Sequence, residues 1–201
     1  MLVMNVPPAE AAWWMIWVTA SGLVGRFLFA FLSERIGRRT SAAIVGLGAA
    51  AATVAAGLYP TTTVTTMFGT VSLFWILLMG IQILGSGGWS VIGPYAAEVW
   101  PSHLRATGLG SAYGFGGIGK VIGPAGLALI IGSENLVNPK VTLDALLPAF
   151  LYLAAWFAGA GLIYLWLGFE TKGRTFDEID AQLEGRRPAD GTVKSSSTTT
   201  G

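Results

Sequence analysis

The chain has 201 residues, of which 53% are apolar and 11% charged, with a net charge of +1. That is about half the charge of an ordinary soluble domain, too little to keep a surface of this size in water, and a net charge near zero implies no nucleic-acid partner. There is no cysteine and one histidine, His103, which excludes a disulfide framework, a thiolate metal site and a thiol nucleophile and argues against a histidine-built metal or catalytic site; no cofactor is expected.

In chain order, residues 1–10 lack the basic stretch of a secretory signal, since Glu10 is the first charge, and read as a short external segment. An apolar run over 11–32 is long enough to cross roughly 30 Å of hydrocarbon as a helix. Its Trp13, Trp14 and Trp17 suit the outer interface, where indole rings settle among headgroups. Arg26 lies in this span about two turns from the following loop, within reach of the interface by snorkelling.

From Thr40 to Ala97 no charged residue occurs. That is too long for one span of roughly 20 residues and ample for two, predicted at 41–59 and 67–94. Tyr59-Pro60 and the threonines that follow supply the break between them. Gly85, Gly87, Gly88 and the pair Gly93-Pro94 loosen the third span, and Glu98 to Arg105 closes it. A fourth span over 108–132 carries the small-xxx-small pairs Gly110/Gly114 and Gly119/Gly123, which allow close helix approach. So many glycines fit either tight packing or a helix that bends beside a moving cavity. Ser133 to Asp144 separates a fifth span at 146–168. Residues 169–185 are predicted to form a short amphipathic helix through Phe176, Ile179 and Leu183, and the polar 186–201 a disordered tail. No alternating strand pattern competes, so the expected fold is all-α, an integral membrane protein of five helices.

Lysine and arginine set the orientation. Arg35, Arg38 and Arg39, then Arg105, then Lys172, Arg174, Arg186, Arg187 and Lys194 fall in alternate connections, against Lys140 alone on the other side. The 33–40 loop, the 98–107 loop and the C-terminus are therefore expected in the cytoplasm of a cell whose plasma or inner membrane holds the chain.

Two of these loops carry motifs. Residues 30–39, AFLSERIGRR, resemble the loop motif G-x-L-x-D-R-x-G-R-R of the major facilitator superfamily, with Ala30 for the glycine and Glu34 for the aspartate. Residues 93–110, GPYAAEVWPSHLRATGLG, are similar to the family's P-x-E-x-x-P-x-x-x-R-x-x-G signature, although Pro94 stands four residues before Glu98 where the signature has two. FETKGRTFDEID at 169–180 resembles the P-E-T-K-G-R tail of the sugar-porter and metabolite:H⁺ symporter branch, with Phe169 for the proline, and the glycine-rich SAYGFGGIGKVIGP is closer to the metabolite:H⁺ and aromatic-acid:H⁺ symporters. Three motifs in this order make the resemblance specific. It implies that the spans correspond to helices eight to twelve of a twelve-helix fold of inverted repeats, the N-terminal half lying outside the chain. An upstream reading frame is favoured over a genuine truncation.

The resemblance also implies a role for the charges at the cytoplasmic face. Glu34, Arg35, Arg38, Arg39, Glu98, Arg105 and Glu170, with Arg26 above them, would form an ion-pair network that holds the inner side closed in one conformer. The plain alternative is a solvated basic loop whose pairs contribute about 0–1 kcal/mol each. Lys120 lies near the middle of the fourth span, where a lysine costs about 2.5–3.5 kcal/mol even on the lenient insertion scale. It should face a cavity or pair with an acid, as an anchor for an anionic substrate or as half of an interhelical ion pair. Gln82, Tyr113 and Tyr95 are further candidates for a central site.

The expected function is proton-coupled transport of a small organic solute by alternating access, with the lipid bilayer, the solute, H⁺ and the N-terminal half as partners. A non-transporting membrane subunit is the alternative. An embedded enzyme is disfavoured, because no intramembrane acid, histidine or cysteine is available for catalysis.

Overall fold

The structure is a computed structural model and describes residues 7–66, 69–131, 139–173 and 179. Five long helices carry the fold: α1 (Pro8–Ile36), α2 (Arg38–Leu58), α3 (Leu73–Glu98), α4 (Arg105–Ile131) and α5 (Pro139–Leu167). Each has a stretch long and apolar enough to cross a membrane. Their outward faces are apolar as well, with Phe27, Phe31, Leu129, Trp166 and Leu167 more than half exposed. In water such a surface would aggregate; in a bilayer it is the solvent-exposed side.

Local chemistry sets the boundaries. Pro8 opens α1 at its first turn, where a missing N–H costs nothing. Gly37, with φ 99° and ψ 155°, ends α1 and starts α2 without an intervening loop. Pro94 lies inside α3, which runs on to Glu98. The helix outlasts the apolar run over 67–94 by one turn, ends where the segment Glu98 to Arg105 begins, and delivers Glu98 to the end of the bundle where α1 meets α2. We call this the charged end.

The break between the second and third spans is more ordered than a turn. Strands β1 (Thr63–Thr66) and β2 (Gly69–Ser72) pair antiparallel, with Val64 opposite Val71 and Thr65 opposite Thr70. The stretch is rich in β-branched residues, which favour extended backbone, and Gly69 takes φ 117° at the turn. The third helix therefore begins at Leu73 and not at Met67. The short helix expected through Phe176 and Leu183 and the tail over 186–201 lie outside the described residues, apart from Ile179, which is helical and buried.

In the packing, α2 lies chiefly against α5 and α1 against α3, while α2 also backs α3. Backbone approach at glycines makes these crossings possible. A side chain at Gly25 would run into the Ile83 carbonyl, and one at Gly46 would come within 2.5 Å of the Gly161 Cα. At the charged end Phe29, Ala42, Val45 and Val91 form one buried cluster; at the other end Ala11, Val18 and Trp75 form a second. Trp14 stacks on Trp75 with ring centroids 6.0 Å apart, whereas Trp13 and Trp17 stay exposed. The glycine stripe of α4 behaves differently. A Cβ added at Gly110, Gly114, Gly119 or Gly123 would meet nothing within 4 Å. Of the two readings offered for this stripe, tight packing is not made within the described residues; the tight crossings are at Gly25 and Gly46.

Candidate functional site

Two sets of polar groups stand out, one at the charged end and one within the helical layer. The first begins with Arg38, whose Nε donates to Glu98 Oε2 at 2.8 Å; both side chains are about four-fifths buried. Glu98 Oε2 also accepts from the Thr171 hydroxyl at 2.5 Å. The Glu170 carboxylate turns toward α2, accepting from the backbone N–H groups of Arg38 at 3.0 Å and Lys172 at 3.1 Å. Helix α2 has no side-chain cap of its own. Glu170 therefore satisfies one of its orphan N–H groups from a distant segment and sets an anion at the positive end of the helix dipole. The Lys172 ammonium donates to the Arg35 carbonyl, and the Phe169 N–H donates to the Tyr95 hydroxyl at 2.8 Å. A cavity of about 220 Å³ lies among these groups, lined by Ser33, Glu34, Arg38, Glu98 and Thr171.

Of the charged residues singled out in the sequence, the structure brings Glu34, Arg38, Glu98 and Glu170 to this cluster. Arg39 turns aside to donate to the Leu165 carbonyl, and Arg35 lies over the Phe31 ring, 4.7 Å from its centroid. Arg105 opens α4. Arg26 departs from the expectation: it lines a groove between α1 and α3 with Gln82 and Ser86. Thr171 and Lys172 were missed, although both fall inside the FETKGR motif.

The second set lies between α3 and α4. A cavity of about 280 Å³ is lined by Trp89, Ile92, Ala96, Tyr113, Gly116 and Lys120. Lys120 is 15 residues from Arg105 and 11 from Ile131 in α4, roughly 22 Å and 16 Å along the axis. Tyr113 and Lys120 both line this cavity, with Trp89 as an aromatic wall that sequence reasoning passed over. Tyr95 does not join them. It is buried between α3 and α5, with its ring 5.5 Å from that of Tyr164, a packing role rather than a place in this cavity. No group of three or more metal-ligating side chains occurs among the described residues.

Compared with known proteins, residues 2–191 match the model of the Major Facilitator Superfamily. The chain belongs to this superfamily. As a Major Facilitator Superfamily member with five apolar helices it is a multi-pass membrane protein. It is 30% identical over 162 residues to a Cupriavidus pinatubonensis protein described as a 4-methylmuconolactone transporter, an alignment covering 79% of this chain and 32% of that protein. It is 29% identical over 136 residues to a Bacillus subtilis protein described as a niacin/nicotinamide transporter, covering 66% of this chain and 30% of that one. The chain thus spans about a third of the length of these curated relatives. No solved structure matches.

Proposed function

We propose that this chain is part of a secondary transporter for small ring-bearing organic acids, with Lys120 as the anchor for the substrate carboxylate. The observation that carries the reading is Lys120 in an aromatic-walled cavity midway along a membrane helix. A cation there is costly without a counter-charge, and among the described residues no Asp or Glu lines that cavity. A substrate carboxylate would neutralise it, while Trp89 and Tyr113 would take up a planar ring. Relatives described as carrying a muconolactone and niacin or nicotinamide support a small ring compound as cargo. Alternating access by rocking against the rest of the transporter follows from the repeat architecture of such folds, and the Arg38–Glu98–Glu170 cluster is the gate of that motion on the cytoplasmic side. Coupling to protons belongs to the same proposal. The reading involves no covalent step and no cofactor.

The test is uptake of radiolabelled ring acids, p-toluate and terephthalate, by membrane vesicles from cells expressing the protein. Lys120→Met should reduce uptake at least tenfold at unchanged membrane abundance, since a hydrogen-bonded charge contact contributes about 1.5–3 kcal/mol, and Lys120→Arg should retain a measurable fraction. A protonophore should collapse accumulation. Wild-type uptake by Lys120→Met would remove the anchor from this scheme.

A further inference from the structure

Arg26, with its neighbours Gln82 and Ser86, is not absorbed by the gate, and its position on the helix lattice assigns it a role. Taking Gln82 as origin and about 100° per residue around α3, Ser86 falls about 40° to one side, Trp89 and Ala96 about 20° and 40° to the other, and Ile92 about 80°. The residues lining the two intramembrane cavities therefore share one face of α3, roughly 120° wide. Helix α1 flanks this face on the Ser86 side, since Gly25 and Phe29 pack against Ile83 and Gly87, at about 100° and 140°. Helix α2 lies behind, touching α3 at Leu84, Gly88 and Val91, between about 180° and 240°. Helix α4 flanks the remaining side through Tyr113 and Lys120. The front of α3 is thus the floor of one furrow, with Arg26 on its α1 wall and Lys120 on its α4 wall.

Both walls carry a positive charge. The α1 side is a groove of about 720 Å³ in which Arg26 sits beside the hydrogen-bonded pair Gln82 Nε2 and Ser86 Oγ, 3.2 Å apart. Arg26 is 10 residues from the end of α1 at Ile36, roughly 15 Å along the axis. Among the described residues neither Arg26 nor Lys120 forms a salt bridge, whereas Arg38 and Glu98 do at the charged end. A substrate with a single carboxylate would engage Lys120 and leave the Arg26 guanidinium on the opposite wall with no ligand contact.

We infer that Arg26 and Gln82 form a second pole of the same site, and that the substrate class is a planar acid with two anionic ends, one held by Lys120 and the other by the Arg26 guanidinium. The inference rests on the proposed role of Lys120 and adds the identity of the cargo. Arginine suits this task, because its planar fork binds a carboxylate through two parallel hydrogen bonds. Glutamine adds a neutral donor whose strength does not depend on charge, and the Trp89 ring between the poles can stack on the unsaturated body of the molecule.

Terephthalate and p-toluate differ only in that one carboxylate is replaced by a methyl group, so their uptake ratio isolates the second pole. Wild-type vesicles should prefer terephthalate by about tenfold or more, the worth of one charge-assisted contact. Arg26→Gln should lower the terephthalate-to-p-toluate uptake ratio about tenfold, and Gln82→Met should lower the same ratio by less, serving in its place if Arg26→Gln fails to reach the membrane. Lys120→Met should lose both acids. If Lys120→Met loses both but the Arg26 and Gln82 variants leave the ratio unchanged, or if wild type takes up p-toluate and not terephthalate, the two-pole inference falls and the anchor stands. If Lys120→Met transports both normally, the anchor falls and this inference falls with it.

Discussion

At Gly37 the backbone takes φ 99° and ψ 155°, a region essentially reserved for glycine. Space forbids a side chain there as well, because a Cβ would come within 2.5 Å of a Glu170 carboxylate oxygen. The residue thus does two things: it turns the chain from α1 into α2 in a single step, and it leaves room for the carboxylate that caps α2. Gly37→Ala should destabilise the protein by about 1–3 kcal/mol from backbone strain alone, read as a lower midpoint of thermal unfolding in detergent; an unchanged midpoint would mean that the junction relaxes freely. Glu170→Gln should cost less, since an amide oxygen still accepts from the Arg38 N–H but brings no charge to the helix end. This cluster was legible in the sequence because its members sit in three motifs with fixed spacing. What was not legible was each residue's partner. Glu170 bonds to backbone, Arg39 to the Leu165 carbonyl, and Arg26 leaves the group altogether, since residue type specifies charge and reach but not which face of a helix points at which neighbour.

Between helices, the number of spans was readable from length and hydropathy, and their ends shifted where a local signal competed with the apolar run. Met67 to Ser72 counts as apolar by composition, yet its β-branched and hydroxyl residues belong to a hairpin. Pro94 loosens the third span without ending it: α3 passes through it to Glu98, as membrane helices can when neighbours re-satisfy the freed groups. The glycines are the instructive case. The Gly110/Gly114 and Gly119/Gly123 pairs left tight packing and a bendable helix both open, because small-xxx-small spacing shows only that a close approach is possible. The approach itself is made at Gly25, Gly46 and Gly161, where an added Cβ would strike backbone. Gly161→Val should therefore disrupt the α2–α5 crossing and cost about 1–3 kcal/mol or more, as overpacking does. Gly114→Val, on a face of α4 with nothing within 4 Å, should leave the unfolding midpoint of the chain nearly unchanged. Equal losses in the two variants would show that α4 is as tightly held as α2 and α5.

For the whole molecule, the charged end and the furrow are linked by the helices they share: Glu98 ends α3, whose middle forms the floor. If the Arg38–Glu98 pair is intact in one conformer and broken in another, removing it must shift the population by its differential energy. For a mostly buried pair with a second bond from Thr171, that is on the order of 1 kcal/mol, about fivefold in population. This chain contributes no cysteine of its own, so labelling of an introduced thiol is read against the same vesicles without it. Gly116 lines the furrow and has open space where a side chain would go, so Gly116→Cys should be tolerated and should report access to the site. Glu98→Gln should raise its labelling by a membrane-impermeant maleimide several-fold in inside-out vesicles and lower it in right-side-out ones. A purely structural pair would loosen only its own surroundings, increasing labelling of a thiol at the buried Ser33 beneath Arg38 while Gly116→Cys stayed unchanged from both sides. An increase from the outer side would reverse the orientation read from lysine and arginine. Opposite changes from the two sides are the signature that separates a gate from a brace, because only a conformer in which the furrow closes to one side as it opens to the other can produce them.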